Sequence, residues 1–237
     1  MNLILFTDQE INAPLPYDDP RYIHMKNILK IGPGDSFDCG IINGKFGKAQ
    51  IISMNEDCLS FDFIACDESP QLFPVTLIIG VPRPPTARRL LKDMTATGID
   101  RIWFTGTELG EKSYLTSKIW KDKKYMEYVI EGAQQGESTL LPEISRFHSL
   151  KGCIKELEDE KKYALDNNES TLAISTLPDC KKRMVLAIGS ERGWTENERN
   201  LLKKNDFTLL SMGNRVLRTE TACSMGIGFI LAAAGYI

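Results

Sequence analysis

The stretch Met184–Ala222 reads MVLAIGSERGWTENERNLLKKNDFTLLSMGNRVLRTETA. Two of its apolar segments, Met184–Gly189 and Thr208–Met212, have the length and composition of buried strands. Each runs into a loop containing glycine and hydroxyl side chains, and each loop opens a helix. Thr195 and Glu198 have the T-x-x-E spacing of a capping box, which starts a helix at about Glu196. Thr219 is the expected N-cap of the last helix, with Glu220 in a first turn where the helix dipole favours a carboxylate. Strand–loop–helix twice over belongs to an α/β fold. The loops bring backbone N–H groups and two helix N-termini near one place, which suits a small polar ligand.

The same texture extends upstream to Val75. Val75–Gly80 is an apolar strand, Thr86–Thr97 an amphipathic helix stopped by Gly98, and Ile102–Thr105 the next strand, which together make a βαβ unit. Helices are expected at Ser117–Glu131 and Leu150–Lys161, and a strand at Thr171–Ser175. Alternation of this kind implies a largely parallel sheet with its ligand at the carboxyl ends of the strands. Residues 67–74, DESPQLFP, interrupt the pattern and read as a linker. Before them, Ser36–Ile42, Lys48–Met54 and Leu59–Ile64 alternate with turn signals, as in a small barrel or sandwich. Arg21–Ile31 is the helix candidate there, on the partial period of Ile23, Ile28 and Ile31. Two domains follow, residues 1–70 and 71–237.

Composition sets bounds on function. The 237 residues are 42% apolar and 26% charged with a formal net charge of -3, ordinary for a soluble chain. Nucleic acid would therefore have to be held by a local basic patch, for which Arg83, Arg88 and Arg89 are the candidates. The same three residues also fit a plain solvated helix face. Six cysteines without a CxxC pair, and only His24 and His148 beside them, indicate neither zinc nor a disulfide framework. Reduced thiols fit a cytoplasmic protein. The N-terminus MNLILFTDQE has no basic n-region, and the apolar tract Met225–Ile237 is too short to span a bilayer.

Taken alone, the loop Gly189–Gly193 fits an ordinary βα turn with glycines for geometry. It is neither a Walker loop nor a dinucleotide fingerprint. The segment Met212–Ala222 is harder to account for structurally, because Arg215, Arg218, Thr219, Glu220 and Thr221 set five polar groups between apolar segments. Capping needs one or two of them.

Together the two segments resemble the RsmE family of 16S ribosomal RNA uridine-N3 methyltransferases, in the SPOUT superfamily. The family pattern I-G-P-E-G-G-F-(T/S)-x-x-E reads here Ile188-Gly189-Ser190-Glu191-Arg192-Gly193-Trp194-Thr195, ending at Glu198. The pattern L-G-x-R-(I/V)-L-R-x-E-T-A reads Met212-Gly213-Asn214-Arg215-Val216-Leu217-Arg218-Thr219-Glu220-Thr221-Ala222. Weaker likeness lies at His24, Ile28-Leu29-Lys30 and Gly34-Asp35, and at Ala133-Gln134-Gln135 with Pro142. Departures fall at Ser190, Arg192 and Trp194. They fall also at Gln134, Ser138 and Leu140, where the family has a glutamate and basic residues, and in PRPPTARR and Thr97-Gly98-Ile99.

The resemblance implies a PUA-like RNA-binding β-barrel followed by a SPOUT-type α/β domain with a deep trefoil knot. It implies S-adenosyl-L-methionine as cofactor, held by three loops. The residues expected to hold it are Ser175 and Thr176, then Ile188, Gly189, Ser190 and Gly193, then Met212, Gly213, Val216, Leu217 and Arg218. Arg218 would stabilise the uridine anion, with Glu191 or Glu220 taking the proton or orienting the arginine. Ribosomal RNA or the small ribosomal subunit is the implied partner, and a homodimer the implied state. Small residues on the last helix (Ala222, Ser224, Gly226, Gly228, Ala232, Ala233) fit a dimer interface and burial within one subunit alike. Two other readings stay open on sequence: a SPOUT methyltransferase for another RNA site, and a non-catalytic ribosome-assembly factor of the same fold.

Overall fold

The protein's structure, a computed structural model, describes residues 3–158, 160–177 and 183–237. The chain divides into two compact units, Met1–Gln71 with Ala133–Leu141, and Leu72–Gly132 with Pro142–Ile237.

The first unit holds β1 (Leu3–Phe6), β2 (Leu15–Pro16), α1 (Pro20–His24), β3 (Ser36–Ile41), β4 (Phe46–Met54) and β5 (Cys58–Asp67). They form one sheet in the order β1-β3-β4-β5-β2, in which only β1 and β3 run parallel. Ile4 and Phe6 from one end strand and Leu15 from the other enter the same core as Phe37, Ala49, Ile51 and Leu59, so the sheet curls around it. The expected helix over residues 21–31 is short. After α1 the backbone widens into a π turn at Met25–Leu29 and ends at Lys30 with φ 55. Ile23 and Ile28, which set the expected period, are exposed, and Tyr22 and Met25 fill the core instead.

Residues 133–141 belong with this unit, although a boundary at residue 70 assigns them to the second. Leu5 N–H donates to Gln134 Oε1 (3.3 Å), Thr139 N–H to Ser69 Oγ (3.0 Å) and Thr139 Oγ1 to the Gly44 carbonyl (2.6 Å). A boundary drawn from local composition is blind to an excursion held by bonds between residues so far apart in sequence.

The second unit holds β6 (Phe73–Gly80), α2 (Pro84–Ala96), β7 (Ile99–Thr105), α3 (Tyr125–Gln135), which runs on into residues of the first unit, β8 (Glu143–Phe147) and α4 (Leu150–Ile154). It continues with β9 (Lys161–Leu165), β10 (Leu172–Ala173), β11 (Met184–Ile188), α5 (Glu196–Lys204), β12 (Thr208–Ser211) and α6 (Thr219–Ala233). Its seven strands lie in the order β10-β12-β9-β11-β6-β7-β8, and every pairing is parallel. Both faces are covered, which is why β11 reads as an unbroken apolar run and β6 as one interrupted only by the buried Thr76. On one face Ile78, Trp103, Val185, Ala187 and Leu209 pack with Leu150, Cys153 and Ile154 of α4 and Leu202 of α5. On the other, Gly226 brings α6 so close that a Cβ there would stand 2.7 Å from Leu186 Cδ2.

Two expected helices are corrected. Over 117–131 the chain first makes the 3-10 turn Lys118–Lys123, where Asp122 (φ 51) and Lys123 (φ 55) break the backbone, and the expected helix starts only at Tyr125, as α3. Over 150–161 the helix ends at Ile154, and Lys161–Leu165 becomes β9. The charged run ELEDEKK imitates a solvated helix, whereas Tyr163 and Ala164 are buried in the sheet. Strand β8 carries no strong pattern, being mostly half-exposed. Cys39, Cys58, Cys66, Cys153 and Cys223 are free, and Cys180 lies outside the described residues. Among the described residues no helix is long and apolar enough to cross a membrane.

The first unit carries a pH-dependent tie. Arg21 donates to Glu10 (2.8 Å), Asp19 (2.7 Å) and the Leu5 carbonyl (3.1 Å), and its guanidinium lies over the Phe6 ring. The Arg21 hydrogen bond outweighs burial and holds the Glu10 carboxyl at about 2, down from 4.5. A depressed folded-state pKa means that the stabilisation is complete above the unfolded value and vanishes as pH falls through about 2. Urea melts across the acid range should therefore show Glu10→Gln less stable at neutral pH and flatter below pH 4.5 than the parent. Identical acid limbs for the two proteins would contradict the tie.

Candidate active site

Four strand ends of the second unit meet around one cavity of about 710 Å³. Its wall takes Arg83 and Thr86 after β6, Leu165–Asn168 after β9, Ile188–Trp194 after β11, and Leu210, Met212 and Arg215–Glu220 after β12. Helices α2 and α6 both begin in this wall, at Arg83 and Arg218. The capping box of α5 forms as expected between Thr195 and Glu198, and Glu198 also accepts the Glu108 N–H (2.9 Å). That helix begins just outside the wall. The expected pair of helix N-termini is thus α2 with α6, not α5 with α6.

Close backbone approach builds the pocket. A Cβ on Gly80 would stand 2.4 Å from the Ser190 nitrogen, and one on Gly189 2.9 Å from the Gly193 carbonyl carbon. Gly193 N–H closes the loop on the Ser190 carbonyl (2.8 Å) with φ +72, a left-handed conformation that glycine adopts without strain. Trp194 fixes the loop to the neighbouring strand by donating from its indole to the Leu165 carbonyl (3.0 Å). Arg199 then ties the loop after β9 to α5, donating to Trp194 O (2.6 Å) and to Glu169 (2.8 Å).

The polar side chains are disposed unevenly. Glu220 does not orient Arg218. Its carboxylate takes Arg89 (2.6 Å) and Thr86 Oγ1 (3.3 Å), both on α2. Burial pushes the Glu220 carboxyl up, but the hydrogen bonds from Arg89, from its own backbone and from Thr86, together with the Arg89 charge, outweigh it and leave the carboxyl below the usual range. Arg89 is more than half exposed, so the pair contributes well under about 1 kcal/mol and matters as a tie between α2 and α6. Glu191 accepts the backbone N–H of Arg83 (3.2 Å) and is otherwise exposed. Arg218 stands at the N-cap of α6 in place of the expected Thr219, without a capping bond or an ion pair among the described residues. Arg88 sits over the Tyr128 ring, so the basic run of α2 is divided three ways and only Arg83 reaches the cavity.

Of the expected cofactor residues, Ile188, Gly189, Ser190, Gly193, Met212, Val216, Leu217 and Arg218 line the cavity. Gly213 turns the chain with φ +91 and is not in the wall. Ser175 and Thr176 lie in a 3-10 turn, also outside the wall, and the loop after them at 178–182 is outside the described residues. Asp166, Asn167 and Asn168 take part unforeseen. The Asp166 carboxylate accepts the N–H groups of Asn168 and Glu169, the Asx-turn chemistry that an apolar strand ending in DNN could have signalled.

Two features mark the cavity as a ligand site. Ser190 is 6% exposed, and its hydroxyl has no hydrogen-bond partner among the described residues. Val216 is 85% exposed yet lines the wall, where a flat apolar ring would cover it. An orphaned buried hydroxyl, a bare aliphatic side chain and closely set backbone suit a ligand with a heterocycle and polar substituents.

Fold and cleft together define a two-unit α/β protein with a small-molecule site at the carboxyl ends of parallel strands. Residues 67–231 match the RNA methyltransferase domain, and residues 17–63 match the RNA methyltransferase PUA domain. The ribosomal RNA small subunit methyltransferase E of Treponema pallidum is 38% identical, over 99% of this chain and 92% of its own. Ribosomal RNA small subunit methyltransferase E 1 of Borreliella burgdorferi is 34% identical over 94% of each. The crystal structure of the Neisseria gonorrhoeae methyltransferase E bound to S-adenosyl methionine has the same fold. It superposes with a TM-score of 0.79 at 18% identity, covering 98% of this chain and 97% of that one. The chain belongs to the RNA methyltransferase family, in its ribosomal RNA small subunit methyltransferase E branch.

The close approach at Gly80 is testable. Gly80→Ala should cost about 1–3 kcal/mol through overpacking against the Ser190 backbone, read as a lower urea midpoint. An unchanged midpoint would show that the loop yields freely.

Proposed function

We propose that this chain transfers a methyl group from S-adenosyl-L-methionine to N3 of a uridine in small-subunit ribosomal RNA. The observation that carries the reading is the cavity itself: bare Val216 in one wall with a Ser190 hydroxyl and an Arg218 guanidinium that have no partner among the described residues. Family membership supplies the reaction class. Ile188, Gly189, Ser190, Gly193, Met212, Val216 and Leu217 would hold the cofactor, by backbone polar groups and apolar cover. S-adenosyl-L-methionine supplies an electrophilic methyl group on a sulfonium sulfur. The protein's part is alignment and exclusion of water.

Uridine N3 carries a proton that must leave. Arg218, without a carboxylate partner among the described residues, would stabilise negative charge developing on the base. Glu191 is the better proton acceptor of the two candidate carboxylates, because one backbone hydrogen bond leaves it lone pairs to spare. Glu220 is engaged by Arg89 and Thr86 and serves to position helices. The first unit contributes an RNA-binding surface in this reading, and the second carries the knotted path that the family resemblance implies. The state is a homodimer, supported by Met225 and Phe229, which leave an apolar stripe of α6 exposed. With ribosomal RNA as substrate, the place of action is the cytoplasm.

Arg218→Ala should lower methyl transfer by about 100-fold or more while leaving S-adenosyl-L-methionine affinity by calorimetry within about threefold. Mass spectrometry of ribosomal RNA from cells lacking the gene should show one missing methyluridine, and sedimentation of the protein should give twice the chain mass. An unchanged RNA modification map would contradict the substrate, and full activity in the variant would remove Arg218 from the mechanism.

A further inference from the structure

Arg83 and Arg192 are both exposed, both line the mouth of the cavity, and neither has an ion pair among the described residues. They flank one hydrogen bond, from the Arg83 backbone N–H to Glu191. That bond fixes the loop after β11 against the start of α2, so the two guanidinium groups are carried by joined elements. The other two arginines of the run are used up, Arg88 over Tyr128 and Arg89 on Glu220. Arg192 stands where the quoted family pattern has glycine, and basic positions of that pattern are lost at Ser138 and Leu140. An unpaired arginine presents a planar fork that matches a phosphate in two-point contact. In a chain of net charge -3, two such forks at the mouth of a cleft concentrate the local positive potential where a polyanion would enter.

We propose that Arg83 and Arg192 form a phosphate clamp that grips the RNA backbone next to the nucleotide entering the cleft. The proposal rests on the methyltransferase reading of the cleft and adds the residues that hold its polyanionic substrate. The clamp supplies affinity and register, and base contacts deeper in the cleft supply selectivity.

The test measures binding of small-subunit ribosomal RNA, isolated from cells lacking the protein, over a series of salt concentrations. Arg83→Ala and Arg192→Ala should each reduce the steepness of log K against log salt by about 0.7–0.9, and the double variant by the sum. Lysine at both positions should restore the slope, since a point charge still releases the counterion. Calorimetric affinity for S-adenosyl-L-methionine should stay unchanged in all of them. An unchanged slope in the double variant would overturn the clamp. A fall in cofactor affinity would overturn it too, by making the two arginines cofactor ligands. If the parent protein bound no S-adenosyl-L-methionine while the slopes fell as stated, the clamp would stand and the methyltransferase reading would fail.

Discussion

The site depends on the close contact between the ends of β6 and β11. With Ile188 opposite Ile79, the next residues on the two strands are Gly189 and Gly80, and the chain turns there with no side chain to spare. That contact presses the Ser190 backbone against β6 and buries its hydroxyl without a partner among the described residues. It also brings Glu191 to the backbone N–H of Arg83, the N-cap residue of α2. An orphaned buried hydroxyl costs about 1–3 kcal/mol, a penalty that a ligand hydrogen bond would relieve. The fold therefore stores part of its binding energy as an unsatisfied group in a rigid wall.

Charge is arranged locally rather than globally. The chain is acidic overall, yet Arg83, Arg192, Arg215 and Arg218 all line the one cavity. Two of the carboxylates in the same wall are engaged elsewhere. Glu220 is tied to α2 and Asp166 caps its own turn. Spending the acidic groups on helix and loop contacts keeps the cleft arginines free for an anionic partner, so net charge is a poor guide to what such a chain binds.

The parallel sheet and its ligand edge were legible because β6 and β11 are buried on both faces and read as apolar runs. The capping box at Thr195 and Glu198 was legible because both partners are local. What escaped was set by distant partners. The helix expected over Leu150–Lys161 follows its charged residues, but Lys161 opens the strand Lys161–Leu165 because β11 and β12 flank it. Glu220 reads as a partner for Arg218 two residues away, and tertiary packing gives it Arg89 instead. Residues 133–141 belong to the first unit through bonds to Leu5, Gly44 and Ser69 that local pattern does not encode. The loop Asp166–Asn168 carries a local Asx-turn signal, but its place at the ligand edge depends on β9, which the local pattern does not mark as a strand.

The central claim is that the strand-end loops of the second unit enclose a methyl donor. A crystal structure of the protein grown with S-adenosyl-L-methionine tests it most directly. The account predicts the donor in the cavity, its ring against Val216 and Leu217 and a polar group on the Ser190 hydroxyl. A well-ordered donor bound elsewhere, or an empty cavity at saturating concentration, would contradict it.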